Sequence, residues 1–166
     1  GERTDFSGMT PKFGEWDPEL TKRGEDQAFK AGNVISKQLQ EMNLNNDNTL
    51  IQVISSPFVR TIQTARNVIK GIKSANVFKV NSTIQIDCHI CEMINYEFYG
   101  NFPMTFLNFV HKTKLFQNEF KDQQLEMIST YDPLPKKEEN DYTCMERLKN
   151  YFNIKVPEIA SKGNTV

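Results

Sequence analysis

The spacing of apolar residues in the middle of the chain predicts a strand followed directly by a helix. Residues 50–54 form a short apolar run rich in β-branched side chains, which is typical of a buried strand. Pro57 ends the run, because the residue before a proline is pushed out of the helical region. Ser56 then suits the N-cap and Pro57 the first position of a helix. Apolar residues recur on one face of this helix: Val59, Ile62, Ala65, Ile69 and Ile72.

Periodicity predicts a second helix before this unit and a second strand after it. The helix begins after Thr21, a suitable N-cap, and runs to about residue 42. Residues 83–91 alternate apolar and polar side chains, which indicates a strand with one buried face. Glu92 follows that strand directly, at the sheet edge where open α/β proteins bind ligands. The predicted core face of the helix is Ala28, Ala31, Ile35, Leu39 and Met42.

Residues 96–140 differ from the rest of the chain in being rich in aromatic side chains. We interpret this range as an insertion of short helices that caps the sheet, forms its own aromatic core beside the pocket, and ends in a mobile polar loop. A further helix is predicted around Met145 to Val156, and Pro157 breaks or restarts it. Gly163 suits the position after a helix, and residues 164–166 begin another strand.

Composition narrows the kind of protein this is. The 166 residues suffice for one domain. Lys and Arg number 20 and Asp and Glu 21, so a net charge of −1 does not favour nucleic acid or a membrane surface as a partner. No apolar run is long enough to cross a bilayer, which predicts a soluble protein. Three cysteines in a chain with an adequate core favour a reducing, intracellular compartment, the cytoplasm.

Arg60 is the first candidate for chemistry. It lies in the opening turn of the predicted helix and off its apolar face. A cation at the positive end of a helix costs roughly 0.3–1 kcal/mol unless an anion shares the site. Free amide groups at a helix start, together with a guanidinium group, form a good phosphate cradle. Considered alone, however, an arginine that points into solvent is the commoner case.

Four segments stand out, in this order: residues 1–5 (Gly-Glu-Arg-Thr-Asp), residues 17–24 with Gln27 and Ala28, residues 55–65 (Ser-Ser-Pro-Phe-Val-Arg-Thr-Ile-Gln-Thr-Ala), and the strand ending at Glu92. Together they resemble the histidine phosphatase superfamily, which has the phosphoglycerate-mutase-like fold. The Gly-Glu-Arg opening is most similar to the branch of the suppressor-of-T-cell-signalling phosphatases. The resemblance implies a single α/β domain over residues 1–166, a three-layer sandwich with a mostly parallel central sheet flanked by helices.

The resemblance also implies a mechanism and roles for particular residues. In this superfamily a histidine accepts the phosphoryl group, arginines and a second histidine hold its oxygens, and a carboxylic acid protonates the leaving oxygen. Arg3 and Arg60 would be phosphate-binding residues and Glu92 the acid. Glu2 and Asp5 would support them. The mechanism requires no metal and no cofactor, and the substrate would be a phosphorylated compound of unknown class.

This chain departs from the superfamily at both catalytic histidines. The nucleophile belongs to an Arg-His-Gly signature whose glycine matches Gly1, so the histidine would come just before the chain. The second histidine would follow Val166. We therefore expect the chain to be an internal portion of a longer one, without its first and a later central strand. Two hypotheses follow: phosphomonoester hydrolysis through a phosphohistidine, if the histidines flank the chain, or a catalytically inactive subunit of a larger assembly.

The two histidines within the chain are not predicted to replace the missing ones. His111 lies among aromatic residues and is interpreted as a surface or packing residue. His89 lies on the polar face of the second predicted strand, and no partner motif surrounds it. Cys88 and Cys91 have the spacing of a metal or redox pair, but residues three apart on a strand point to opposite faces. We therefore predict neither a metal site nor a disulfide there.

Overall fold

The computed structural model describes residues 1–44, 50–93, 110–129 and 139–162. Within these ranges three parallel strands form one sheet in the order β1-β2-β3, with helices packed around it. The α/β class and the parallel sheet flanked by helices are therefore confirmed. The elements are α1 (Lys22–Glu41), β1 (Leu50–Ser55), α2 (Val59–Ser74), β2 (Lys79–Ile86), α3 (Lys114–Glu119), β3 (Leu125–Met127), α4 (Asp141–Asn150), a π-helical segment (Tyr151–Lys155) and α5 (Val156–Lys162).

The core lies between α2 and the sheet. All five apolar residues predicted for α2 are buried. All of them except Ile72 belong to one core cluster with Ile84 and Ile86 of β2. Phe116 and Phe120 join the same core. Since each buried large apolar side chain contributes roughly 1.5–3 kcal/mol, this single cluster is the main source of stability in the described part of the chain.

Helix α2 begins two residues later than the sequence predicted. Its N-cap is Phe58, in an extended conformation, so the assignment of Ser56 as N-cap and Pro57 as first helical residue is wrong. The reason lies outside the local sequence. The carboxylate of Asp17 accepts the backbone N–H of Val59, so the helix needs no capping side chain of its own.

Helix α1 has the predicted N-cap but buries a different face. The Thr21 hydroxyl accepts the N–H of Gly24, as expected for an N-cap, whereas Ala31, Ile35 and Met42 of the predicted face are exposed. The helix packs on α2 through a narrow line of small residues, which lets the two backbones approach closely. The buried residues of α1 are Gly24, Ala28, Gly32 and Ser36.

Strand β2 ends at Ile86, before the predicted limit at residue 91. Asp87 follows it and accepts the N–H of His89, which bends Cys88–Ile90 into a 3-10 turn. Cys88 and Cys91 are therefore both buried on this turn rather than on opposite faces of a strand. Both are free cysteines, and burial raises the pKa of their thiols to about 11 and about 12.

Residues 96–109 and 130–138 of the predicted insertion at 96–140 lie outside the described residues. In the described part, α3 contributes aromatic side chains to the main core, and β3 belongs to the sheet. The sequence did not predict this strand, which has only three residues. Gly163 and the strand predicted at 164–166 also lie outside the described residues.

The predicted C-terminal helix is present and changes its winding before Pro157. Tyr151–Lys155 is π-helical, and α5 continues from Val156. Proline has no N–H to donate, and the wider π winding precedes the residue where the regular hydrogen-bond pattern must be interrupted. In the described part of the chain, none of the helices combines the length and the apolar composition that crossing a bilayer requires.

We predict that Gly71→Ala destabilises the protein by roughly 2 kcal/mol, although alanine favours a helix by about 1 kcal/mol over glycine. A Cβ atom at Gly71 would lie 2.2 Å from the carbonyl oxygen of Phe29 in α1, so the two helices would have to separate. The measurement is the free energy of unfolding in urea. Lys70→Ala, at the exposed neighbouring position, is the control, and a stabilised Gly71→Ala variant would contradict the close contact.

Candidate functional site

The candidate site lies at the C-terminal edge of β1 and β2. Ser55, the last residue of β1, pairs in register with Ile86, the last residue of β2. The chain leaves β1 toward Arg60 at the start of α2, and leaves β2 toward Glu92. Because parallel strands end at the same edge, these two side chains from different parts of the sequence meet there.

Arg60 is held on three sides. One nitrogen, Nη2, donates a short hydrogen bond to the Glu92 carboxylate. The other, Nη1, donates to Oδ1 of Asp17 at 3.3 Å. The guanidinium also lies 4.0 Å from the centre of the Phe58 ring, at cation–π distance. Arg60 is only 8% exposed, so the interpretation of a solvent-facing arginine is wrong.

Asp17 is the residue of this site that the sequence analysis missed. Its carboxylate is fully buried, and both of its oxygens lie 2.9 Å from the backbone nitrogen of Val59. Burial raises the pKa of Asp17 to about 7, even though the Val59 N–H and the Arg60 charge favour the carboxylate. The available signal was its place in residues 17–24, one of the segments that resemble the superfamily, but the sequence analysis gave Asp17 no role of its own.

Glu92 is more accessible than Arg60. Its side chain is 51% exposed, although its carboxylate contacts the buried guanidinium. An accessible carboxyl group can exchange protons with water, and contact with Arg60 fixes one end of it. The structure thus brings together two of the residues predicted for the site, Arg60 and Glu92.

Arg3 lies in a separate cluster. Its Nε and Nη2 atoms donate to the two carboxylate oxygens of Asp5, at 3.1 and 2.6 Å, and its guanidinium lies 4.6 Å from the Phe6 ring centre. Burial alone would raise the pKa of Asp5, but the hydrogen bond and charge of Arg3 outweigh it and lower the pKa. Within the described residues, the side-chain hydrogen bonds of Arg3 all go to Asp5, so Arg3 is not joined to the Arg60–Glu92 pair.

The segment that carries Arg3 is nevertheless tied to the start of α2. The Thr4 N–H donates to the Glu19 carbonyl and the Thr21 N–H to the Glu2 carbonyl, both at 3.0 Å. The backbone N–H of Leu20 in turn donates to the Gln63 side chain of α2 at 2.8 Å. The Glu2 carboxylate accepts the Thr21 hydroxyl at 2.7 Å, so it supports the start of α1 rather than Arg60.

The two histidines have structural partners. His111 lies 2.7 Å, through Nε2, from the Pro57 carbonyl oxygen, to which the neutral ring donates, and it stacks on Phe116. Burial lowers the pKa of His111 to about 4, so its ring is neutral. Of the two predicted alternatives, a surface residue or a packing residue, the structure confirms the packing residue. Nδ1 of His89 lies 2.9 Å from the buried Asp87 carboxylate. In the ranges that the structure describes, no three His, Cys, Asp or Glu side chains are placed to share a metal ion.

A parallel sheet with a buried arginine at its C-terminal edge defines an α/β protein whose site is suited to an anionic group. A family model described as "Histidine phosphatase superfamily (branch 2)" matches residues 5–154. The chain therefore belongs to this superfamily. The matched range includes Arg60 and Glu92, and Arg3 lies just before it.

A solved structure supports the fold independently. The chain is similar to the ecdysone phosphate phosphatase of Bombix mori, determined in complex with tungstate, with 16% sequence identity and a TM-score of 0.60. The similarity covers 90% of this chain and 51% of the other, so this chain spans about half the length of that structure. A search of curated proteins finds no significant match.

The buried carboxylate predicts a pH dependence of stability. The pKa of Asp17 is about 7 in the folded protein against an ordinary 3.8, so the folded state holds this proton more tightly. Its contribution to stability is therefore greatest below pH 4 and is lost as the pH rises through 7. We expect the unfolding free energy of the wild type, relative to Asp17→Asn, to fall between pH 4 and pH 8.

Urea unfolding of both proteins across this range measures that difference. The matched control is Asp26→Asn, an exposed aspartate of α1. A wild-type advantage that grows with pH would show that the Arg60 charge, rather than burial, determines the titration of Asp17.

Proposed function

We propose that this protein is a phosphomonoesterase that works through a phosphohistidine intermediate, with Arg60 and Arg3 as phosphate-binding residues and Glu92 as the general acid. The observation that carries the proposal is the buried Arg60, fixed by Asp17 and Phe58 and in contact with Glu92. Membership of the histidine phosphatase superfamily supports the reaction class. The proposal holds if the nucleophilic and second histidines lie outside residues 1–166, as the resemblance implies.

The geometry supports a division of roles within the site. Catalysis of phosphoryl transfer depends mainly on positioning and on fixed charges that meet the charge of the transferring group. Arg60 is preorganised by its buried contacts, so little rearrangement is needed when an anion arrives. A phosphoryl group bound beside Arg60 places its leaving oxygen within reach of the adjacent Glu92 carboxyl group. Glu92, in its protonated form, then donates its proton to that oxygen as the oxygen–phosphorus bond breaks and the bond between the histidine nucleophile and phosphorus forms.

Arg3 completes the proposed phosphate site from the neighbouring segment. Asp5 holds its guanidinium plane by two hydrogen bonds, which limits the rotamers that a flexible arginine would otherwise sample. The segment itself is fixed beside Leu20 and, through Gln63, beside α2. The narrower resemblance to the suppressor-of-T-cell-signalling phosphatases stays a prediction based on the Gly-Glu-Arg opening.

Arg60→Ala is expected to lower turnover of p-nitrophenyl phosphate by two or more orders of magnitude, because one preorganised charge contact is typically worth that much. Arg66→Ala is the matched control. Arg66 is also a largely buried arginine of α2, but it pairs with Glu25 and Glu119, away from the candidate site. Its loss should reduce stability and leave turnover within about threefold of the wild type.

Steady-state kinetics and circular dichroism of both variants measure these effects. Near-normal turnover in folded Arg60→Ala would remove Arg60 from the site. A wild type that releases no phosphate from any ester in a panel of aryl, alkyl and sugar phosphates would instead favour the inactive, assembly-forming relative.

Glu92→Gln tests the role of the acid. Phosphate esters with poor leaving groups need a proton in the transition state, whereas p-nitrophenolate leaves readily without one. We expect Glu92→Gln to lower kcat for an alkyl phosphate by about 10²–10⁴ and for p-nitrophenyl phosphate by less than tenfold. The control is Glu126→Gln, an exposed glutamate of β3. Equal losses on both substrates would show that Glu92 binds substrate or supports Arg60 but is not the proton donor.

A further inference from the structure

Arg147, in the middle of α4, makes contacts that connect this helix to the turn before Glu92. Its Nε and Nη2 atoms donate to the two carboxylate oxygens of Glu139, both at 2.7 Å. Its Nη1 atom donates to the backbone carbonyl of His89 at 2.5 Å and to that of Cys91 at 3.2 Å. One guanidinium group therefore binds a carboxylate on one edge and two backbone carbonyls on another.

These contacts are buried, so water does not compete with them. The Arg147 side chain is 14% exposed and Glu139 is 4% exposed. A bidentate arginine–carboxylate pair has a defined geometry, and Glu139 thus sets the direction in which the remaining nitrogen of Arg147 points. A buried arginine whose donors are used on main-chain carbonyls restrains the backbone that carries those carbonyls.

The restrained backbone leads directly to the proposed acid. Cys91 precedes Glu92, and its carbonyl belongs to the peptide group that joins the two residues. On the other side of the turn, Asp87 accepts the His89 N–H, and the Ser129 hydroxyl accepts the Cys88 N–H at 2.6 Å. Those contacts hold the beginning of the turn. Of the side chains in the described ranges, the one that holds the carbonyls at its end is that of Arg147.

We propose that Arg147 is a positioning residue for Glu92: through the carbonyls of His89 and Cys91 it fixes the backbone from which the acid reaches Arg60. The inference rests on the proposed function of Glu92, and it assigns to α4 a part in the reaction that the sequence did not suggest. Arg147 itself touches neither Arg60 nor Glu92 among the contacts that the structure describes.

The test uses the intact protein with Arg147→Met, which keeps an unbranched side chain and removes every donor. Poor positioning of an acid affects the substrate that needs the acid. We expect kcat for an alkyl phosphate to fall by roughly tenfold or more, while kcat for p-nitrophenyl phosphate stays within about threefold of the wild type. Lys149→Met, an exposed cation on the same helix, is the matched control and should change neither. Equal losses on both substrates, or no loss on either, would overturn the proposal.

Arg147→Met leaves the buried Glu139 carboxylate unpaired, which can itself destabilise the fold. The double variant Arg147→Met with Glu139→Gln removes both charges, and the same substrate dependence is expected of it. Amide hydrogen exchange of peptides covering residues 88–93 gives a readout that needs no activity. Exchange in this peptide should rise at least tenfold in either variant, with little change in α2.

The kinetic and hydrogen-exchange measurements together distinguish failure of this inference from failure of the proposed function. If the wild type hydrolyses neither ester, the proposed function fails, and the exchange experiment alone decides whether Arg147 restrains the turn. Exchange that is unchanged at residues 88–93 overturns the restraint, whatever the activity.

Discussion

The organisation of this protein depends on an aspartate side chain that lies where water cannot reach it. Removing a carboxylate from water is costly, and in proteins the group usually becomes neutral or acquires partners that replace its hydration. Asp17 has two such partners: the main-chain N–H of Val59, the first residue of α2, and the guanidinium group of Arg60. The same carboxylate thus begins a helix and orients the cation that the helix carries. A short loop between residues 14 and 20 is thereby coupled to the edge of the sheet.

Arg60 is balanced between two acidic groups of different character. Asp17 is buried and fixed, whereas Glu92 is half exposed and attached to a turn. An anion entering the site therefore competes with Glu92 more easily than with Asp17, because water can take over the contacts that Glu92 gives up. In the proposed function, the contact with Asp17 orients Arg60, and the contact with Glu92 is the one that exchanges. Such a division is consistent with a cation that has to stay in place through a reaction cycle.

The sequence predicted those features whose causes are local. Strand β1 and the apolar face of α2 follow from residue spacing, and the Thr21 cap follows from a hydroxyl next to a helix start. The buried face of α1 could not be predicted from apolar spacing, because it is set by contact between two backbones and the residues that permit it are small. The end of β2 depends on the Asp87 side chain, which accepts the main-chain N–H of His89 two residues later. Strand β3 is too short to show a periodicity.

The candidate site divides in the same way. Arg60 and Glu92 were predicted because the motifs around them are contiguous, and the structure brings them together, although their chemical roles stay predictions. Asp17 was missed because its significance lies in two contacts made 42 and 43 positions away in the sequence. Arg147 is a further example: its helical position carries no sign that it binds the main chain before Glu92. Long-range contacts of single polar side chains are the part of a site that spacing alone does not reveal.

The close contact between Gly32 and Gly71 makes the geometry of the candidate site depend on residues that do not line it. Helix α1 starts at the residues that hold the Arg3 segment, and Arg60 lies in the first turn of α2, so the separation of the two helices affects the separation of the two cations. Under the proposed function, a collection of random variants sorted only by activity would therefore group these glycines with Arg3 and Arg60. Their effect would be transmitted entirely through the distance between the two helices.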